Sequence, residues 1–126
     1  MNPPIKQPPL SPRLSIYRWR LTMFASIAHR ASGMFLVLFM PALFWLLLSM
    51  AHGSISFAYG LTWLQGSVGT VVLWLTCTAL FYHMANGVRF LLLDIGKTDS
   101  REAMRLSAKI VVLSTIIFAL LLAIKI

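Results

Sequence analysis

The stretch ASGMFLVLFMPALFWLLLSMAHGSISFAYGLTWLQGSVGTVVLWLTCTALFYHMANGV, residues 31–88, contains no Lys, Arg, Asp or Glu. Fifty-eight uncharged residues in a row exceed one membrane crossing and suffice for two with a short connection. A crossing needs about 20 apolar residues to traverse roughly 30 Å of hydrocarbon. Around this stretch the charges gather in two places. Lys6, Arg13, Arg18 and Arg20 precede the first apolar helix, and Lys97, Arg101, Arg105 and Lys109 lie between the second and a third. The sequence therefore predicts an all-α integral membrane bundle of three transmembrane helices with an extended N-terminal arm. It forms a single membrane-anchor domain over 1–126, with the arm at 1–20 and helices at about 21–50, 65–93 and 103–125.

Composition agrees. Of the 126 residues 59% are hydrophobic and 11% charged, whereas soluble domains hold near 45–50% apolar residues. The net charge of +8 does not mark a nucleic-acid partner, because the basic residues flank apolar helices instead of forming one face. They set orientation: the N-terminus and second loop fall on the positive, cytoplasmic side, and the C-terminus on the other. Pro3, Pro4, Pro8, Pro9 and Pro12 exclude a helix from the arm. Tyr17 and Trp19 suit headgroup depth. Pro41 marks a kink in the first helix. Ala51–Leu64, rich in Gly and Ser, reads as the first loop, and Asp94–Arg105 as the second. Neither a secretory signal nor an amphipathic presequence is evident, so a bacterial inner membrane is expected ahead of a mitochondrial one. Cys77 and the methionines Met23, Met34, Met40 and Met84 read as packing residues, and His52 as an interfacial surface histidine.

Ionisable groups inside a span are expensive and point to function. Ser26, His29, Arg30 and Gly33 recur at i, i+3, i+4 and i+7, which places them on one helical face. Together they offer a hydroxyl, an imidazole, a guanidinium and room for close approach. A guanidinium there suits a carboxylate or a quinone carbonyl. The plainer alternative is that Arg30 reaches lipid headgroups and His29 serves a neighbouring backbone. His83 lies eleven residues before Asp94, about 16 Å below the end of its helix. An imidazole at that depth calls for a partner, either haem iron or another helix. Gly87, one turn on, clears space for a flat macrocycle. Arg89 lies nearer the interface. No nucleophile–base pair, phosphate loop or zinc-ligand spacing is present, and no residue of this chain alone is catalytic. The spans hold too few polar residues to line a transport path.

Two segments resemble a known family. Ser11-Pro-Arg-Leu-Ser-Ile-Tyr-Arg-Trp19, followed by Ser26-Ile-Ala-His-Arg-Ala-Ser-Gly33, looks like the N-terminal signature of the succinate dehydrogenase cytochrome b556 membrane-anchor family. His83-Met-Ala-Asn-Gly-Val-Arg-Phe-Leu-Leu-Leu-Asp94 resembles that family's second signature, H-x-x-x-G-x-R-H-L-x-x-D. Both occur in the right order and spacing, so the resemblance covers nearly the whole chain.

The resemblance implies a subunit of succinate:quinone oxidoreductase. Its partners would be a second small three-helix anchor subunit, a flavoprotein carrying FAD and an iron–sulfur subunit carrying clusters, with ubiquinone as substrate. Haem b would lie between the two anchors, one histidine from each. By matching position, His83 is the axial ligand of the haem iron, Ser26 and Arg30 are quinone-binding, and His29 and Arg30 lie near the haem propionates. Phe90 stands where the family often has a second histidine, which removes a propionate or proton partner. A haem-free anchor and an anchor of a fumarate reductase are the other forms that the resemblance admits.

Expressed without partners, the chain is expected to assemble poorly. Its intramembrane polar groups would face lipid, at about 2.5–3.5 kcal/mol for a mid-span arginine. A well-behaved, haem-free monomer in a bilayer would contradict this.

Overall fold

The computed structural model describes residues 20–98 and 100–126; the arm expected over 1–20 lies outside them save for Arg20. Four helices follow in order: α1 (Leu21–Ala51), α2 (Ser54–Gln65), α3 (Ser67–Asp94) and α4 (Arg101–Lys125). α1, α3 and α4 are each long and apolar enough to cross a membrane. With 31, 28 and 25 residues, they measure about 46, 42 and 37 Å. Among the described residues no strand occurs.

α3 is the central element and packs against all three others. It runs antiparallel to α1, so that His83 meets His29 and Val72 and Leu73 meet the level of Ala42 and Leu43. It is antiparallel to α4 as well. The Trp74 indole N–H donates to the Ala119 carbonyl at 2.8 Å, and the Phe81 and Phe118 rings stack 4.4 Å apart. The start of α1, the end of α3 and the start of α4 therefore share one end of the bundle, which collects Arg20, Lys97, Arg101 and Arg105.

Burial is inverted relative to a water-soluble protein. The buried residues include Asn86, Arg89 and Ser49, whereas among the described residues the buried hydrophobic side chains are Ala25, Ala108 and Val111. Exposed leucines stand on every helix, joined by exposed isoleucines, valines and methionines. Lipid and partner helices cover such surfaces in a membrane, where backbone groups must be satisfied inside each element. The methionines follow this logic. Met34, Met40 and Met84 are exposed, so the packing expected of them is against lipid or partner helices. Cys77 is half-buried and free.

The first loop differs from expectation, because Ser54–Gln65 is a helix. Its Gly and Ser residues suggest turns, but only the flanking glycines make them. Gly53 adopts φ +112°, and Gly66 ends α2 in an extended conformation. Gly60, inside the helix, permits close approach: a Cβ there would lie 3.0 Å from a Leu46 methyl and 3.5 Å from the Ser49 hydroxyl. In a segment without charge, next to hydrocarbon, helical hydrogen bonding wins over an open loop. At the other connection α4 begins at Arg101, ahead of the expected Ala103, because the Ser100 hydroxyl caps it by accepting from the Ala103 N–H at 3.1 Å. His52 closes α1, its Nδ1 2.7 Å from the Leu48 carbonyl oxygen.

Gly69 sets the α2–α3 corner. A Cβ there would fall within contact distance of the Trp63 carbonyl and 2.6 Å from the Leu64 Cα. Backbone atoms cannot swing aside. Gly69→Ala is therefore expected to destabilise the corner by about 1–3 kcal/mol, read as a lower Tm of the purified protein in detergent. An unchanged Tm would show that the corner is slack.

Candidate functional site

α1 and α3 cross where two histidines meet. The His29 and His83 rings stack with centroids 4.1 Å apart and planes 14° from parallel. The His83 ring occupies the space left by Gly33 of α1, where a Cβ would stand 2.9 Å from His83 Cε1. The His29 ring faces Gly87 of α3, where a Cβ would stand 3.7 Å from Nε2, an ordinary contact distance. The sequence reading gives the Gly87 gap to a macrocycle; within this chain His29 lies against it.

The surroundings of His83 fix its tautomer. Its Nδ1 lies 3.1 Å from the His29 carbonyl oxygen and 3.1 Å from the Ser32 hydroxyl oxygen. A carbonyl only accepts, so Nδ1 carries the proton and donates. Ser32 in turn donates to the same carbonyl at 2.8 Å, which leaves its lone pairs facing Nδ1–H. Nε2 then keeps its lone pair and has no protein partner among the described residues. This is the arrangement that orients a metal-ligating imidazole: one nitrogen tied to backbone, the other presented.

His29 is held differently. Its Nε2 is buried without a partner, and the Phe90 ring tilts against it at 5.3 Å. Phe90 also lies under the Arg89 guanidinium, 5.3 Å from its centroid. The residue that replaces the family histidine is thus a packing element between the two.

A groove opens beside the pair, lined by His29, Arg30, Gly33, Met34, Val37, Leu38 and His83. Met34, Val37 and Leu38 present a bare apolar wall, 66%, 68% and 76% exposed. Arg30 stands exposed at its lip, without a hydrogen bond or ion pair among the described residues. The structure therefore brings His29, Arg30, Gly33 and His83 around one groove. Ser26 lies one turn before Arg30, half-buried and outside the lining. Its hydroxyl makes no hydrogen bond among the described residues.

Sequence reasoning missed Ser32, Tyr82 and Asn86, and it named no partner for Arg89. Arg89 is buried in hydrogen bonds to α4. A signal was present: Tyr82, Asn86 and Arg89 recur at i, i+4 and i+7, a polar stripe on an otherwise apolar helix. Among the described residues, no three His, Cys, Asp or Glu side chains form a cluster able to hold a bare metal ion. A single presented imidazole instead suits a metal whose other ligands come with it.

Comparison with known proteins identifies the family. Residues 4–122 match the family described as succinate dehydrogenase/fumarate reductase transmembrane subunit. The succinate dehydrogenase cytochrome b556 subunit of Rickettsia felis is 33% identical over 115 residues, covering 90% of this chain and 89% of the relative. That of Paracoccus denitrificans is 29% identical over 113 residues, covering 90% and 87%. The cytochrome b560 subunit of Marchantia polymorpha is 44% identical over 94 residues, covering 70% and 68%. With the match spanning all three membrane helices and both histidine-bearing segments, the chain belongs to the succinate dehydrogenase/fumarate reductase transmembrane subunit family, on its cytochrome b556 branch.

Proposed function

We propose that this chain is the cytochrome b membrane anchor of a succinate:quinone oxidoreductase, holding haem b through His83 and helping to form the quinone-reduction site through Ser26 and Arg30. The observation that carries the reading is His83 itself. Its Nδ1–H is committed to the α1 backbone, and its Nε2 is free beside an apolar groove with a guanidinium at the rim.

The residues present fit a haem. An imidazole lone pair suits the iron, the exposed wall of Met34, Val37 and Leu38 suits the macrocycle, and Arg30 at the rim suits a propionate, with His29 lining the groove beside it. Bound there, the haem would supply a one-electron redox centre within the membrane. His29 has its Nε2 turned into the α1–α3 contact, so a second histidine for the iron would come from a second small anchor subunit. A flavoprotein with FAD and an iron–sulfur subunit complete the complex, docking at the basic end in a bacterial inner membrane with the N-terminus cytoplasmic. The names of the relatives support succinate oxidation; the family's breadth keeps a fumarate reductase anchor as the second reading.

Ser26 and Arg30 act together because one helical turn separates them. The Ser26 hydroxyl donates to a quinone carbonyl. The Arg30 guanidinium, always charged, stabilises negative charge as it develops on the quinone oxygen. Neither group has a competing partner among the described residues, so both are available.

In the assembled complex, His83→Ala is expected to abolish the low-spin b-type difference spectrum while the helices still insert. Gly33→Val is expected to weaken haem retention too, because its added carbons displace the His83 ring. An unchanged spectrum in His83→Ala would remove His83 as ligand and turn attention to His29.

Ser26→Ala and Arg30→Leu are each expected to slow quinone-linked succinate oxidation, by about 2.7–4 kcal/mol of lost transition-state stabilisation. Rates with a soluble artificial acceptor should survive, since flavin and clusters lie on other subunits. Equal loss of both rates in one preparation would point to failed assembly and leave the quinone assignment without support.

A further inference from the structure

On the face of α3 turned toward α1 and α4, a chain of buried polar side chains ends on the backbone of α1 beside Ser26. Asn86 is fully buried, and Arg89 is 6% exposed. The Tyr82 hydroxyl donates to the Ala25 carbonyl oxygen at 2.8 Å, and Asn86 Nδ2 donates to the same oxygen at 3.0 Å. That oxygen belongs to the peptide joining Ala25 to Ser26. In a regular helix it is also the partner of the His29 amide.

Arg89 organises the chain from behind. It donates to Asn86 Oδ1 at 3.4 Å, to the Met104 carbonyl at 3.3 Å and to the Ser107 hydroxyl at 3.1 Å. A guanidinium only donates, so it holds the Asn86 amide with its oxygen toward Arg89 and its NH2 toward Ala25. All three of these partners are neutral. A buried charge among neutral partners is a poor device for stability, and apolar side chains would join three helices at lower cost. Such a network does fix geometry, because each member specifies the orientation of the next.

We propose that Tyr82, Asn86 and Arg89 are positioning residues for the site on α1. They hold the Ala25–Ser26 peptide against α3 and α4. Through it they set the rotation and depth of Ser26, the residue that the held peptide carries. This rests on the reading of Ser26 and Arg30 as quinone contacts. Misplacement by about 1 Å can reduce a rate a hundredfold, so a clamp one residue from the donor matters to chemistry.

The test uses the whole complex in detergent with a short-chain ubiquinone analogue. Asn86→Leu removes the amide at similar volume, and Tyr82→Phe removes only a hydroxyl. Each is expected to raise the KM for quinone, roughly three- to tenfold for a lost hydrogen bond. The haem-to-flavin ratio and the artificial-acceptor rate should stay at wild-type level. If Asn86 acts through Ser26, the pair Ser26→Ala with Asn86→Leu loses no more than Ser26→Ala alone. Additive losses would overturn the proposal, as would a lowered Tm with an unchanged KM in both single variants, which is the mark of a merely structural clamp. Should Asn86→Leu fail to assemble, Tyr82→Phe and its cycle with Ser26→Ala separate the same two outcomes. Ser26→Ala without effect on quinone kinetics would sink the quinone reading and the positioning role together. A normal Ser26 response beside insensitive Tyr82 and Asn86 variants would sink the positioning role alone.

Discussion

The bond from His83 Nδ1–H to the His29 carbonyl governs much of the rest. In water an imidazole can exchange partners freely; between apolar helices it must be satisfied by what the fold brings near. The carbonyl of α1 meets that need for one nitrogen and thereby decides which nitrogen is left over. Ser32 reinforces the choice from the same turn of α1. The stacking of His29 on His83 follows from the same crossing point, since the carbonyl and the ring belong to one residue.

Around that point polar groups divide into two sets. Arg89 is turned inward onto Asn86 and Ser107, and Tyr82 and Asn86 both donate to the Ala25 carbonyl. Ser26 and Arg30 have no hydrogen-bond partner among the described residues. The apolar wall of the groove is likewise exposed. The bundle is thus saturated where its own helices meet and open along the groove at which haem and quinone are proposed to bind.

Much of this was legible in the sequence, for identifiable reasons. A charge-free run of 58 residues bounded by Arg30 and Arg89 admits few architectures, because transfer of charge into hydrocarbon excludes the rest. The i, i+3, i+4, i+7 spacing of Ser26, His29, Arg30 and Gly33 placed them on one face by helix geometry alone. What the sequence did not reveal depends on pairs distant along the chain. That Gly33 makes room for His83, or that Arg89 reaches Met104 and Ser107, is a property of the crossing of helices. α2 was hidden for another reason. Gly53, Gly60 and Gly66 look alike in sequence, yet two end a helix and one lets two helices touch.

The fit of His83 against Gly33 also restricts sliding. A Cβ at Gly33 would stand 2.9 Å from the His83 ring, whereas one at Gly87 would meet His29 at an ordinary contact distance of 3.7 Å. A shift of α1 along α3 by one residue, about 1.5 Å, would carry the His83 ring out of the gap that Gly33 leaves. Gly33 and His83 thus act as notch and key for the alignment of the two helices. A larger side chain at Gly33 is tolerated only if the ring at His83 gives way, so these two positions are constrained as a pair although they stand far apart along the chain.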